Sequence, residues 1–138
     1  MPKLSKKGKC CMKDEGFRKL MGKAAEDLNL LRVGCENMGI SDAIFGFHAQ
    51  QTVEKIFKAW ICLNGKEYPF THDLRLLYNL LAKTDAEGLD KFIGLVEFTD
   101  YAVDFRYDFF GNNESLDRHQ IFESCSALFN NVNQISQR

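Results

Sequence analysis

Histidines are the side chains of this chain best suited to move a proton near neutral pH. His48 is followed at helical spacing (i, i+3, i+7) by Gln51 and Lys55, so a helix would place the three on one face. That face is either a solvated surface, with Glu54 and Lys58 as an i, i+4 ion pair, or a polar strip that points at a cleft or a second subunit. The spacing fits both interpretations.

A second histidine, His72, lies in a segment typical of a helix start. In the order Thr71-His72-Asp73-Leu74, Thr71 is a good N-cap and Asp73 would lie in the first turn. His72 would then be either exposed at the helix start or hydrogen-bonded to the preceding long helix. Capping alone is sufficient to explain the segment.

Metal chemistry has little support in the sequence. The five cysteines form no CxxC pair and no histidine lies in an HExxH motif, so we expect neither a metal site nor a cofactor. Asp100, Asp104 and Asp108 share one helix face and could hold a divalent cation. Such rows of carboxylates are more often a solvated edge, and the pattern is not specific.

Four long segments with helical periodicity must position these residues. Apolar residues recur at spacings of three and four, and no segment alternates strictly. The expected helices run over 17–38, 41–63, from about Thr84 to Phe109, and from near Glu114 onward, with a short helix over 73–83. Because the connections are short, the sequence predicts an all-α, up-and-down antiparallel four-helix bundle with an additional short helix.

Length and charge predict one domain behind a basic arm. We expect a disordered arm over residues 1–12 and a single helical domain over 13–138. Residues 1–23 carry eight lysines and arginines against two acidic residues. Such an arm either contacts phosphate, or is a solvated tail or an added leader.

The compartment can also be predicted from composition. No window of about 18 residues is free of charge, and no apolar stretch follows the first lysines, so we expect no membrane span and no signal peptide. An odd number of cysteines without metal spacing indicates a reducing compartment. We therefore expect a cytoplasmic protein.

Aromatic content predicts a homodimer. The chain has 12 phenylalanines, and in the fourth predicted helix Phe92 and Phe105 fall on one stripe whereas Phe98 and Phe109 lie off its centre. Large apolar patches are rare on monomers. A two-fold interface would cover such a second aromatic face in both subunits.

Several of these segments together resemble the HEPN domain family. The resemblance covers roughly residues 17–135 and rests on the order and spacing of FHAQQ at 47–51, EK at 54–55, KA at 58–59, THDL at 71–74 and RY at 106–107. It implies a helical bundle, homodimers, and a minimal nucleotidyltransferase as partner, often in toxin–antitoxin systems. It further implies either RNA cleavage or nucleotide binding alone.

The resemblance does not extend to the family's ribonuclease motif. RNA-cleaving members carry an arginine followed, after four to six residues, by a histidine. Arg106 matches the arginine, but Gly111, Asn112 and Asn113 occupy the histidine positions, and none can shuttle a proton near neutral pH. His119 lies thirteen residues beyond Arg106 and is expected to be out of reach.

The leading hypothesis is therefore a non-catalytic domain that dimerises and binds a nucleotide, RNA or a nucleotidyltransferase. The candidate nucleotide- and phosphate-binding residues are Arg106, Tyr107, His48, Gln51, Lys55 and His72. Arg106 is the predicted phosphate contact because a guanidinium can donate two parallel hydrogen bonds. The alternative is a metal-independent ribonuclease in which His48 or His72 replaces the missing histidine. A third possibility is a purely structural interaction domain.

Overall fold

The computed structural model describes residues 13–97 and 116–138, and every regular element among them is helical. The prediction of an all-α fold is thereby confirmed. Arg106, Tyr107, the three aspartates at 100, 104 and 108, and the surplus phenylalanines beyond residue 97 lie outside the described residues. So do residues 1–12, and the division into arm and domain stays a prediction.

Four α-helices and one 3₁₀ helix make up the described fold. They are α1 (Lys13–Gly34), α2 (Asp42–Leu63), α3 (Leu74–Ala82), the 3₁₀ helix (Leu89–Glu97) and α4 (Arg118–Ser136). Helix α2 packs against α1, α3 and α4, and the 3₁₀ helix packs against α3 and α4. None of the described helices is both long and apolar enough to cross a membrane.

Helix α2 lies at the centre because it is apolar over most of its circumference. The fully buried side chains of Phe45, Phe57 and Trp60 all come from this helix. A helix with so little polar surface is stable only when other helices surround it. As a result several polar residues of α2, among them Gln50, Glu54 and Lys58, are buried against its neighbours rather than solvated.

Helices α2 and α3 each begin at a capping side chain, and the N-cap that the sequence analysis predicted for α3 is wrong. The Ser41 hydroxyl accepts a backbone N–H of the first turn of α2 at 3.1 Å. At α3 the N-cap is Asp73 and not Thr71, since the Asp73 carboxylate accepts the N–H groups of Arg75 and Leu76 at 3.0 and 3.3 Å. The Thr71 hydroxyl instead accepts the N–H of Asp73 at 3.1 Å, which stabilises the turn before the helix.

The long helix expected from Thr84 does not begin there. The chain turns at Gly88, whose φ of +83° lies in the left-handed region, and then forms the 3₁₀ helix. Because a left-handed residue cannot continue a right-handed helix, the turn separates α3 from the next element. Asn131 of α4 holds the turn by donating its side-chain amide to the carbonyl of Glu87 at 3.2 Å.

Arg118, at the start of α4, bonds the connection between α1 and α2 at both of its ends. Its side chain is buried (8% exposed), and its guanidinium donates to Asp42 Oδ1 at 2.6 and 2.9 Å. The same group donates to the carbonyl oxygens of Gly34, Asn37 and Ile40 at 2.6, 3.2 and 2.6 Å. One side chain therefore fixes the whole α1–α2 connection, and nothing in the sequence pattern indicated this.

Of the three cysteines that the structure describes, two are fully buried. Cys62 and Cys125 have no exposed surface, whereas Cys35 is half-buried. Burial raises the pKa of the Cys125 thiol to about 12, because a thiolate loses its hydration in the core. Cys125 is therefore a protonated, unreactive packing residue at neutral pH.

Candidate functional site

Asp27 of α1 brings together two of the predicted site residues of α2. Its carboxylate lies 2.6 Å from Lys55 Nζ and 3.2 Å from His48 Nδ1. The side chain of Asp27 is 12% exposed, against 30% for His48 and 25% for Lys55. We call these three residues the Asp27 cluster. The sequence placed His48 and Lys55 on one face and missed Asp27, which lies on another helix.

The Asp27 cluster presents hydrogen-bonding groups to solvent in a fixed arrangement. A carboxylate only accepts hydrogen bonds, so His48 donates through Nδ1–H and a neutral ring would present Nε2 as an acceptor. The Lys55 ammonium has three donors, of which one is directed at Asp27. Both side chains are partly exposed, so the groups that Asp27 does not bond face solvent.

Gln51, the third predicted residue of this face, belongs to a different network. Its side-chain amide donates to Gln50 Oε1 at 2.9 Å. Gln50 in turn donates to Glu54 Oε1 at 3.2 Å and to the backbone carbonyl of His72 at 3.0 Å. The two glutamines therefore connect the exposed face of α2 to the loop that precedes α3.

The ion pair expected between Glu54 and Lys58 is present, but it is buried and not solvated. Lys58 Nζ lies 2.8 Å from Glu54 Oε2, and the two side chains are only 11% and 7% exposed. The Lys58 ammonium also lies 5.4 Å from the centre of the Tyr68 ring, a cation–π contact. We call Gln50, Glu54, Lys58 and His72 the Glu54 cluster.

His72 combines the two positions that the sequence left open. Its Nδ1 lies 3.0 and 3.1 Å from the two carboxylate oxygens of Glu54, so it is bonded to the preceding helix. Its side chain is nevertheless 82% exposed. Because the buried carboxylate accepts Nδ1–H, Nε2 of the neutral ring faces solvent as a free acceptor.

The structure gives no placement for the last two candidates of the sequence analysis. Arg106 and Tyr107 fall outside the described residues. His119 Nε2 lies 3.0 Å from Glu36 Oε2 in an exposed pair at the start of α4. Within 13–97 and 116–138, no group of three or more His, Cys, Asp or Glu side chains could hold a metal ion.

A protein-family model matches most of the chain. Residues 17–135 match the model of the HEPN domain. This range contains both clusters and agrees with the range over which the sequence resemblance was drawn. Comparison with curated proteins and with solved structures yields no match.

Proposed function

We propose, since the chain belongs to the HEPN domain family, that it is a non-catalytic nucleotide-binding domain. The observation that carries the proposal is the Asp27 cluster. An ammonium and an imidazole are partly exposed there and already held in place by a carboxylate that is only 12% exposed. Because these side chains are ordered before a ligand arrives, binding costs little further side-chain entropy.

A nucleotide phosphate is the ligand that best fits these donors. Lys55 has N–H groups directed away from Asp27, and a protonated His48 adds Nε2–H as a charge-assisted donor. Gln51 lies on the same face of α2 and supplies a neutral amide. Arg106 is proposed as the bidentate phosphate contact and Tyr107 as its neighbour, on the sequence alone.

Nucleotide binding predicts a thermal stabilisation that depends on Lys55. A ligand present at 100 times its Kd stabilises the folded state by about 2.7 kcal/mol. We expect nucleoside phosphates in chelator to raise the Tm of the wild type, and Lys55→Ala to reduce this rise relative to its own ligand-free Tm.

Lys91→Ala is the matched control, because Lys91 is an exposed lysine of the 3₁₀ helix outside both clusters. Its ligand-induced shift should equal that of the wild type. Equal shifts in wild type and Lys55→Ala would contradict the site. A shift that Arg106→Ala leaves intact would reject Arg106 as the phosphate contact.

We further propose that two copies of the chain form the functional unit. A homodimer would cover the surplus aromatic residues and bring two copies of Arg106 to one cleft. Light scattering at micromolar concentration should give twice the chain mass of 15.8 kDa. A mass near 15.8 kDa would overturn the dimer and the shared cleft.

A minimal nucleotidyltransferase is the proposed protein partner, in a toxin–antitoxin-like system of the cytoplasm. The family membership supports this pairing. A gene for a small nucleotidyltransferase beside the gene for this chain, and co-purification of the two products, would be the expected result. Absence of any complex when the two are co-expressed would contradict the pairing.

A second candidate function is metal-independent RNA cleavage, and the Glu54–His72 contact favours it. An exposed imidazole whose Nδ1–H is held by a buried carboxylate is oriented to accept a proton at Nε2. Cleavage of RNA in chelator that His72→Ala or His48→Ala abolishes would establish this candidate. No cleavage by the dimer would remove it.

A further inference from the structure

The sequence contains a single Asn-Gly dipeptide, Asn64–Gly65, at the end of α2. In such a pair the glycine nitrogen can attack the asparagine side chain, because glycine has no side chain to obstruct the approach. A bond forms between the Gly65 nitrogen and Asn64 Cγ, the bond from Cγ to Nδ2 breaks, and Nδ2 leaves as ammonia with the proton of the Gly65 amide. Water then opens the resulting cyclic imide to aspartate or isoaspartate. The dipeptide is therefore a chemically reactive point of the chain.

The backbone at the end of α2 opposes this reaction. Asn64 is the C-cap with a ψ of 7°, and Gly65 follows in the left-handed region with a φ of +79°. Gly65 N–H donates to the carbonyl of Cys62 at 2.9 Å and Lys66 N–H to that of Ile61 at 3.1 Å, which is a Schellman motif. At this ψ the Gly65 nitrogen lies beside the Asn64 nitrogen and away from the Asn64 side chain. Ring closure therefore requires a large rotation about the Asn64 Cα–C bond, and that rotation breaks the motif.

The side chain of Asn64 is held by the end of α3. Its Nδ2 donates to Thr84 Oγ1 at 2.9 Å. The Thr84 hydroxyl donates in turn to the carbonyl of Leu81, in the last turn of α3, at 2.7 Å. We call Asn64, Gly65, Leu81 and Thr84 the α2–α3 junction. Both partners of the reaction are fixed there, the Gly65 nitrogen by the Schellman motif and the Asn64 amide by Thr84.

We infer that Asn64 is a deamidation site which the hydrogen bond to Thr84 protects in the folded protein. The reaction takes place only in conformers whose α2–α3 junction has opened. Its rate is therefore the rate in an unfolded chain multiplied by the fraction of open conformers. The inference is independent of the proposed nucleotide binding, because no residue of the junction belongs to the Asp27 cluster or the Glu54 cluster.

Deamidation would weaken the α2–α3 junction permanently. A carboxylate has no hydrogen to donate to Thr84 Oγ1, and the hydrogen of that hydroxyl is directed at the carbonyl of Leu81. The new negative charge would also lie at the C-terminal end of α2, where the helix dipole disfavours it. Isoaspartate in addition lengthens the backbone by one carbon, which disrupts the spacing of the Schellman motif. We expect Asn64→Asp, which reproduces the aspartate product, to have a lower Tm than the wild type.

The inference predicts that Thr84→Val accelerates deamidation of Asn64. Loss of one hydrogen bond of ordinary strength should raise the fraction of open conformers, and with it the rate, by a factor of roughly 2 to 13. The measurement is mass spectrometry of the peptide that contains residue 64 during incubation in mildly alkaline buffer, since deamidation converts an amide into an acid of higher mass. Hydrogen exchange of the Gly65 amide should become faster by the same factor.

Thr71→Val is the matched control, because the Thr71 hydroxyl also makes a hydrogen bond, to Asp73 N–H, at the opposite end of α3. Its deamidation rate should equal that of the wild type. The wild type in urea sufficient to unfold it should deamidate much faster than the folded protein. Equal rates in folded and unfolded wild type, a wild-type rate in Thr84→Val, or the same acceleration in Thr71→Val would each overturn the inference.

Discussion

Arg118→Ala is expected to lower the free energy of unfolding by about 3 kcal/mol, since it removes the donor for four acceptors at once. The guanidinium reaches Asp42 and three backbone carbonyls of the α1–α2 connection. Alanine would leave those carbonyls without this donor and Asp42 without its cation. The expected loss is large because Arg118 is 8% exposed, so water cannot readily replace it.

The measurement is urea denaturation followed by circular dichroism. Arg138→Ala is the matched control, because Arg138 pairs with Glu87 on the surface, where both side chains are more than 60% exposed. Exposed ion pairs contribute little to the free energy of unfolding, so this variant should unfold at the same urea concentration as the wild type. Arg118→Lys should recover only part of the loss, since an ammonium lacks the planar fork that reaches several acceptors. Equal urea midpoints for Arg118→Ala and Arg138→Ala would contradict the role of Arg118 in stabilising the α1–α2 connection.

Glu54→Leu is expected to destabilise the fold by about 3–5 kcal/mol, the cost of leaving a buried charge without its partner. Lys58 would remain 11% exposed with no carboxylate at 2.8 Å. Lys58→Met should cost somewhat less, because His72 still contacts Glu54. The double variant Glu54→Leu/Lys58→Met should recover most of the stability, since apolar side chains of similar volume can replace a buried ion pair.

Equilibrium unfolding of the wild type, the two single variants and the double variant gives the coupling energy between Glu54 and Lys58. We expect the double variant to be much more stable than the sum of the two single losses predicts. Additive losses would show that the two charges do not depend on each other. The same variants separate stability from function, since Glu54→Leu also removes the group that orients His72.

The parts of the fold that the sequence predicted correctly depend on local signals. Ser41 is followed by a long apolar stripe, which places the start and the buried face of α2. The turn at Gly88 was missed because a glycine in a helical pattern does not by itself indicate a left-handed conformation. That conformation is fixed by Asn131, more than 40 residues away in sequence.

The candidate site was predicted in part for the same reason. His48 and Lys55 share a face by spacing alone, and the structure brings them together. Asp27 lies 21 residues before His48, and Arg118 lies 76 residues after Asp42. No local pattern distinguishes Asp27 or Arg118 from the other charged residues of the helices. In one of the two interpretations of the sequence Glu54 and Lys58 form a solvated pair, because the sequence does not show that the loop between α2 and α3 contacts both side chains.

The central claim is that the polar surface of α2 binds a nucleotide, and the three histidines report on it directly. His48 and His72 lie in the Asp27 and Glu54 clusters, whereas His119 pairs with Glu36 at the start of α4. The most direct measurement is a long-range ¹H–¹⁵N NMR spectrum of the imidazole rings during titration with a nucleoside triphosphate in chelator. We expect the ring signals of His48 and His72 to shift while those of His119 stay in place. Unchanged His48 and His72 signals at saturating nucleotide, or a shift confined to His119, would contradict the account.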